Sequence, residues 1–221
     1  VIRISADGQT QTVPVTVQGA TAKRRVHFEN DVLPVLSRFG CNSSGCHGKA
    51  EGQNGFKLSI FGFDPAADLA ALTQEGRGRR TNRTDPDNSL LLLKASGGMP
   101  HGGGIRIRRN SGEYRVLHGW ILGGANAGYP DAAKLASILV TPQDSRMAME
   151  ATRQLQVTAR FSDGREIDVT HLAKFQSNSE TLATVDEYGL VTASDSPGEA
   201  AIMASYLGQV DVFRAIVPQP Q

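Results

Sequence analysis

Apolar residues recur at helical spacing in the first half of the chain and alternate in the second. Phe28, Val32, Val35, Leu36 and Phe39 fall on one face of a helix. Asn30 or Asp31 is its expected N-cap, with Pro34 in the first turn and Gly40 just past the end. Asp64-Pro65 opens a second helix running through Leu72. Asn88 or Ser89 caps a third through Lys94. Ser111 caps a fourth, which carries Val116, Leu117, Trp120 and Ile121 on one face and stops at Gly123-Gly124. Two long glycine-rich loops, 42–63 and 96–110, separate these elements, and loops of that length in a compact domain are usually functional. From residue 136 the period changes to two. Strands are predicted at 136–141, 153–161, 165–169, 181–185, 189–193, 200–206 and 209–217, punctuated by Asp163-Gly164, Pro197-Gly198 and Gly208. Seven short strands at this spacing predict a β-sandwich. At the start, Val13, Val15 and Val17 alternate behind the turn signal Asp7-Gly8, as in the last hairpin of a preceding β-domain, with Gly19 to Lys23 as a linker. The expected division is 1–20 (hairpin and linker), 21–133 (helical domain) and 134–221 (β-domain), a processed piece of a longer protein.

Composition adds limits. Of the 221 residues, 39% are hydrophobic and 20% charged, as in ordinary globular proteins. No apolar run is long enough for a transmembrane segment, and no signal peptide is visible. The net charge of +1 conceals an asymmetry. Residues 21–133 hold 15 Lys and Arg against 10 Asp and Glu, whereas residues 134–221 hold 7 against 11. Two domains of different ancestry explain this, and so does a mildly basic face for an anionic partner. No basic patch is interleaved with aromatics, so nucleic acid is not an expected partner.

The only two cysteines stand in Gly40-Cys41-Asn42-Ser43-Ser44-Gly45-Cys46-His47-Gly48. Two thiols followed at once by a histidine are the pattern of covalent haem attachment, here with four residues between the cysteines instead of two. On this reading Cys41 and Cys46 form thioethers to one haem c, and His47 is the proximal ligand of its iron. Met99 and His101, on a glycine loop downstream, are the candidates for the distal ligand of a six-coordinate electron carrier. Other chemistries fit the same residues. A Cys41–Cys46 disulfide suits an exported protein. A zinc site could use Cys41, Cys46, His47 and His101. His118 is expected at the surface or near haem propionates, and His27 and His171 in structural roles.

Residues 28–124 resemble the planctomycete-type cytochrome c domain of very large exported proteins. The stretches that carry the resemblance are Phe28 to Ser37, the Cys41–Gly48 segment, Gly52-Gln-Asn-Gly-Phe-Lys-Leu-Ser, Gly62-Phe-Asp-Pro, Gly78-Arg-Arg, Ser89 to Lys94, Pro100-His-Gly-Gly-Gly and Tyr114 to Ile121. The resemblance implies a small, mostly helical cytochrome c fold. In many related cytochromes this loop reads Met-Pro-Pro and methionine ligates the iron, a pattern that Met99-Pro100 fits. The Pro100-His-Gly-Gly-Gly form looks typical of the branch with four residues between the cysteines, and so the resemblance favours His101 over Met99 as distal ligand. Residues 136–217 resemble the group 2 bacterial immunoglobulin-like domain, through Leu155 to Gly164, Asp168-Val-Thr, Ala183-Thr-Val-Asp, Gly189 to Ala193 and Gly198 to Ile202. That resemblance implies a spacer or adhesion unit and export.

The expected fold class is therefore multidomain, α then β. The expected function is electron transfer by one haem c (iron) in a periplasmic or otherwise exported protein. Its partner would be a redox protein or other domains of the parent chain. The domain is read as a carrier and not an enzyme, although the parent could be one, and the oligomeric state is left open. Phe28, Phe39, Trp120 and the Leu90–Leu93 run are expected pocket walls, with Phe56, Phe61 and Phe63 packing on the macrocycle. Arg79, Arg80 and Arg106 are expected near the propionates. The rival reading is an adhesion or carbohydrate-binding module in which the Cys/His site is a structural staple or metal site.

Overall fold

The computed structural model describes residues 1–17 and 25–219; the expected linker from Gly19 to Lys23 lies outside them. Strands β1 (Ile2–Ala6) and β2 (Gln9–Val13) form an antiparallel hairpin with Ile2 opposite Val13. Asp7 and Gly8, both at positive φ, make its turn, and every residue of both strands is exposed.

The first expected helix is shorter and more irregular than its periodicity predicts. A π-turn over Phe28–Val32 leads into α1 (Leu33–Arg38). Neither Asn30 nor Asp31 is the N-cap. His27 takes that place, its Nδ1 accepting from the Asn30 amide at 3.4 Å while Asp31 reaches back to accept from the His27 amide at 2.7 Å. The next two caps are the ones the sequence marks. Asp64 accepts from the Ala67 amide at 3.0 Å to start α2 (Pro65–Thr73). Ser111 accepts from the Tyr114 amide at 3.1 Å to start α4 (Gly112–Leu122). Between them, α3 (Leu90–Ala95) follows Ser89, whose hydroxyl accepts instead from the Asn82 amide at 2.8 Å. One apolar core joins these pieces, built on Phe28, Leu33, Leu36, Leu58, Leu72, Leu92, Leu117 and Ile121.

The β half begins with β3 (Leu135–Thr141), β4 (Asp144–Arg146), β5 (Thr152–Gln154), β6 (Gln156–Phe161) and β7 (Glu166–Asp168). It continues with β8 (Lys174–Ser177), β9 (Ala183–Val185), β10 (Leu190–Ala193), β11 (Gly198–Tyr206) and β12 (Gln209–Val217). They form three hydrogen-bonded sheets in the orders β5-β10-β9, β4-β12-β11-β8 and β3-β6-β7. All pairings are antiparallel except β12 with β4. One core lies between the sheets, with Val157, Val191, Ile202 and Phe213 fully buried.

The expected fold class needs correction on both sides. The chain is 24% helical and 30% strand, with several sheets, and is not a small mostly helical cytochrome fold beside a two-sheet sandwich. Helices are cut short because the connecting segments hold Gly40, Gly52, Gly55, Gly62, Gly76, Gly78, Gly97 and Gly104 at positive φ, together with Asn54, Phe61 and Arg77. Such residues cannot propagate a right-handed helix. In the β half the strand expected at 153–161 divides at Leu155. Its first part pairs with β10 and its second with β3, so the chain passes from one sheet to another. Strands β4 and β8 were not foreseen, since three or four residues, mostly polar, show no alternation to read.

The two halves touch. Arg38, at the end of α1, donates to the carbonyls of His171 (3.1 Å) and Glu187 (2.7 Å) and pairs with the Glu187 carboxylate at 3.2 Å. Lys174 lies over the Phe61 ring at 5.1 Å, and Leu172 and Leu207 pack against both cores.

Two outcomes are expected. Phe213→Ala empties a fully buried site, so denaturant unfolding should show a loss of about 3–5 kcal/mol. Asp68 is buried on α2 and accepts from the Ser59 amide and hydroxyl at 2.5 and 2.7 Å. Burial pushes its carboxyl above the ordinary value of 3.8 despite those bonds. The folded state therefore holds this proton more tightly than the unfolded chain, and its contribution to stability falls as pH rises from 3.8 through the raised value. Asp68→Asn should flatten that part of the profile of melting temperature against pH; an unaltered slope would assign it to other groups.

Candidate functional site

The loop after α1 has no regular structure, and it folds onto itself to satisfy its backbone. The Cys41 amide donates to Leu36 O at 2.9 Å, the Cys46 amide to Ser43 O at 3.0 Å and the His47 amide to Cys41 O at 3.0 Å. The Leu58 amide then donates to His47 O at 2.8 Å, tying the loop to the segment that returns. Gly48 permits the fold: a Cβ there would stand 2.2 Å from the Asn42 carbonyl oxygen.

This arrangement leaves a cavity of about 650 Å³ between the Cys41–His47 turn, the loop that returns at Phe56, α3 and the Met99–Gly103 loop. Leu36, Leu58, Leu72, Leu90 and Leu91 give it an apolar floor. Two imidazoles face each other across it, with ring centroids 6.2 Å apart and planes within 6° of parallel. Each ring is oriented by one backbone carbonyl. His47 Nδ1 lies 3.0 Å from Phe56 O and His101 Nδ1 lies 3.0 Å from Gly104 O. A carbonyl only accepts, so Nδ1 carries a proton in each ring. Gly103 makes room for the second ring, because a Cβ there would sit 2.9 Å from it.

Electrostatics in the cavity oppose further positive charge. Burial lowers the proton affinity of His47; the Phe56 carbonyl opposes this, while His101, Arg80 and Lys94 reinforce it. Burial also drives the Cys41 thiol up to about 11, helped by Cys46 and partly offset by Arg106 and Lys174. Arg80 is the most constrained cation. It donates to Ala71 O and Gly55 O, both at 2.6 Å, lies 4.5 Å from the Phe56 ring centroid and pairs with Glu75 at 3.6 Å. A wider recess adjoins the cavity at Arg79 and Leu90 and is lined also by Arg83, Thr81, Asn82, Thr84 and Asn88.

The fold gathers many of the residues singled out from sequence. Cys41, Cys46, His47, Met99, His101, Arg79, Arg80, Arg106, Phe56, Leu90 and Leu91 all line the cavity. Others fall elsewhere. Phe28 and Trp120 pack against each other in the core at 5.4 Å, and Phe39 sits beside Arg38 at its edge. Leu92 is core, whereas Phe61 and Phe63 are exposed. His118 lies near Asp87 at 3.7 Å, and His27 packs edge-on to Tyr129. Sequence reading missed Lys94, Gln53 and Asn54, which also line the cavity. The one signal for Lys94 was its place in the last turn of the third helix, where a cation reads simply as a helix end.

No known family matches this chain. A stretch of 73 residues, 33% of the chain, is 36% identical to Ice-binding protein 1 of Shewanella frigidimarina. The stretch spans only 8% of that relative. Among solved structures, domains 4 and 5 of the S-layer protein SbsC are 15% identical with a TM-score of 0.35, over 40% of this chain and 54% of that one. Domains 1–6 of SbsC also score 0.35, over 41% and 14%. Likeness at that score carries no argument about fold or function.

These findings correct the expected chemistry. The curated similarity is to an ice-binding protein and not to a haem protein. Among the described residues no three or more His, Cys, Asp or Glu side chains form a group able to hold a metal ion, so the four-residue zinc arrangement is not assembled either. The cytochrome c and immunoglobulin-like assignment, haem c on Cys41 and Cys46 with iron on His47, and electron transfer as the function are withdrawn on these grounds. No helix among the described residues is long and apolar enough to cross a membrane.

Cys41 supplies the test of this geometry. Only its thiolate is nucleophilic, and a thiol near 11 is almost wholly protonated at neutral pH. Iodoacetamide should therefore modify Cys41 slowly in the native chain at pH 8, with the rate rising about tenfold per unit of pH as pH climbs toward 11, and readily in urea. Peptide mass spectrometry reads the rate; fast native labelling at pH 8 would mean that the half-buried thiol does not hold its proton as described.

Proposed function

We propose that this chain belongs to an exported surface protein, with the helical half as a ligand-binding module and the β half as the spacer or adhesion unit that presents it. The cavity carries this reading. A concave site with an apolar floor and a few convergent polar groups is the usual form of a binding site for a small ligand or a chain end. The Cys41–His47 segment acts as a staple: its backbone bonds hold the wall of the cavity, and the His47 ring ties that wall to Phe56. The similarity to Ice-binding protein 1 supports export and a surface role. Ice binding itself is not carried over, because so small a part of that protein is matched. The role proposed is capture and not turnover.

A ligand that binds only the folded form stabilises it by mass action, by about 2.7 kcal/mol at a hundred times its dissociation constant. Thermal unfolding of the full chain should therefore shift upward with at least one member of a panel of saccharides and small organic acids. Gly45→Phe should abolish the shift without loss of fold, since a Cβ at Gly45 meets nothing within 4 Å and the position lines the cavity. A panel with no shift, or a shift that survives Gly45→Phe, would overturn the reading.

A further inference from the structure

Every ionisable side chain lining the cavity is cationic, a thiol or an imidazole. Arg79, Arg80, Lys94 and Arg106 contribute to its wall, and no Asp or Glu is among the described lining residues. The adjoining recess adds Arg83 and again no acid. Residues 21–133 hold 10 Asp and Glu beside 15 Lys and Arg, and none of those acids lines the cavity. Arg80 is already engaged by two carbonyls and Glu75. Arg79 and Arg106 are exposed, and among the described residues neither they nor Lys94 pairs with a carboxylate. Lys94 donates only to the Pro100 carbonyl, at 3.2 Å. Three cations thus stand without a counter-charge around a floor made of leucines.

A neutral saccharide suits such a site poorly. It would leave the leucine floor facing hydroxyl groups and the cations unneutralised. The complementary molecule has an apolar body for Leu36, Leu58, Leu72, Leu90 and Leu91 and an acidic group for the cations. We propose that the cavity binds an amphipathic organic anion, its apolar body over the leucine floor and its carboxylate or sulfonate between Arg79, Lys94 and Arg106. This deepens the binding role proposed above and rests on it. Buried apolar area supplies most of the affinity, and the cations select for the anion and steer its approach. The Nδ1–H groups of His47 and His101 are already committed to backbone carbonyls, so those donors are not free for the anion and the rings form side walls.

Two fluorescent probes of nearly the same shape separate the parts of this claim: anilinonaphthalene sulfonate, an apolar anion, and phenylnaphthylamine, its uncharged counterpart. Titrated into the full chain at physiological salt, the sulfonate should bind saturably and more tightly than the amine. Arg79→Gln, Lys94→Gln and Arg106→Gln should each weaken it by about two- to fivefold, as expected for partly exposed charge pairs, with the amine unaffected. Higher salt should weaken the sulfonate alone. Arg83→Gln, in the adjoining recess, should leave both unchanged, and Gly102→Phe, at a cavity position where a Cβ meets nothing within 4 Å, should block both. Unfolding melts of each variant show that the fold is kept. Equal binding of the two probes, indifferent to the three cation variants, would overturn the anion preference and leave a merely apolar cavity. Binding of neither probe would overturn the amphipathic anion as the ligand, while a thermal shift with the ligand panel that Gly45→Phe abolishes would still uphold the binding role. Weakening by Arg83→Gln equal to that by Arg79→Gln would place the anion in the open recess and overturn the assignment to the cavity.

Discussion

The helical half depends on how the loop from Cys41 to Leu58 satisfies its own backbone. Buried amides and carbonyls must be paired, and this loop has neither helix nor sheet to pair them. It uses short-range turns within Cys41–Gly48, the reciprocal Gln53–Phe56 pair and the longer bond from Leu58 to His47, and it needs glycine where strands of backbone nearly touch. A Cβ at Gly48 would overlap the Asn42 carbonyl, and one at Gly52 would stand 2.5 Å from Phe56 O. The cavity exists because the loop is held away from α3 by these bonds and not by side chains filling the space between.

The same constraint sets the electrostatics. Phe56 O and Gly104 O each accept from an imidazole Nδ1–H, and the two rings face one another at 6.2 Å. Burial opposes charge on His47 and on Cys41. The fixed charges that remain are guanidinium and ammonium groups, one of them locked by Ala71 O and Gly55 O. The inner surface therefore carries positive charge in a setting that disfavours more of it.

The β half contributes beyond its own core. Arg38 closes α1 against the carbonyls of His171 and Glu187, and Lys174 reaches Phe61 in the loop that precedes α2. Helix α1 leads directly into the Cys41 turn, so a wall of the cavity is braced from the β side. Leu172 and Leu207, shared by the two cores, make this contact apolar as well as polar.

Local signals settled the parts of this protein that local chemistry controls. Asp64 and Ser111 cap their helices as their positions imply, Asp7-Gly8 turns the first hairpin, and the alternation of Ala200, Ile202 and Ala204 marks the buried face of β11. The cluster of Cys41, Cys46, His47, Arg79, Arg80, Met99 and His101 was also legible as a set, although the chemistry first read from it was corrected. Tertiary structure decided the rest. Phe28 and Trp120 went to the core and Phe63 to solvent, because an aromatic side chain carries no mark of which surface it will meet. Lys94 entered the cavity only because α3 turned that face inward. The strand expected across Leu155 split between two sheets, since pairing partners distant in sequence, and not the two-residue period, choose where a strand ends.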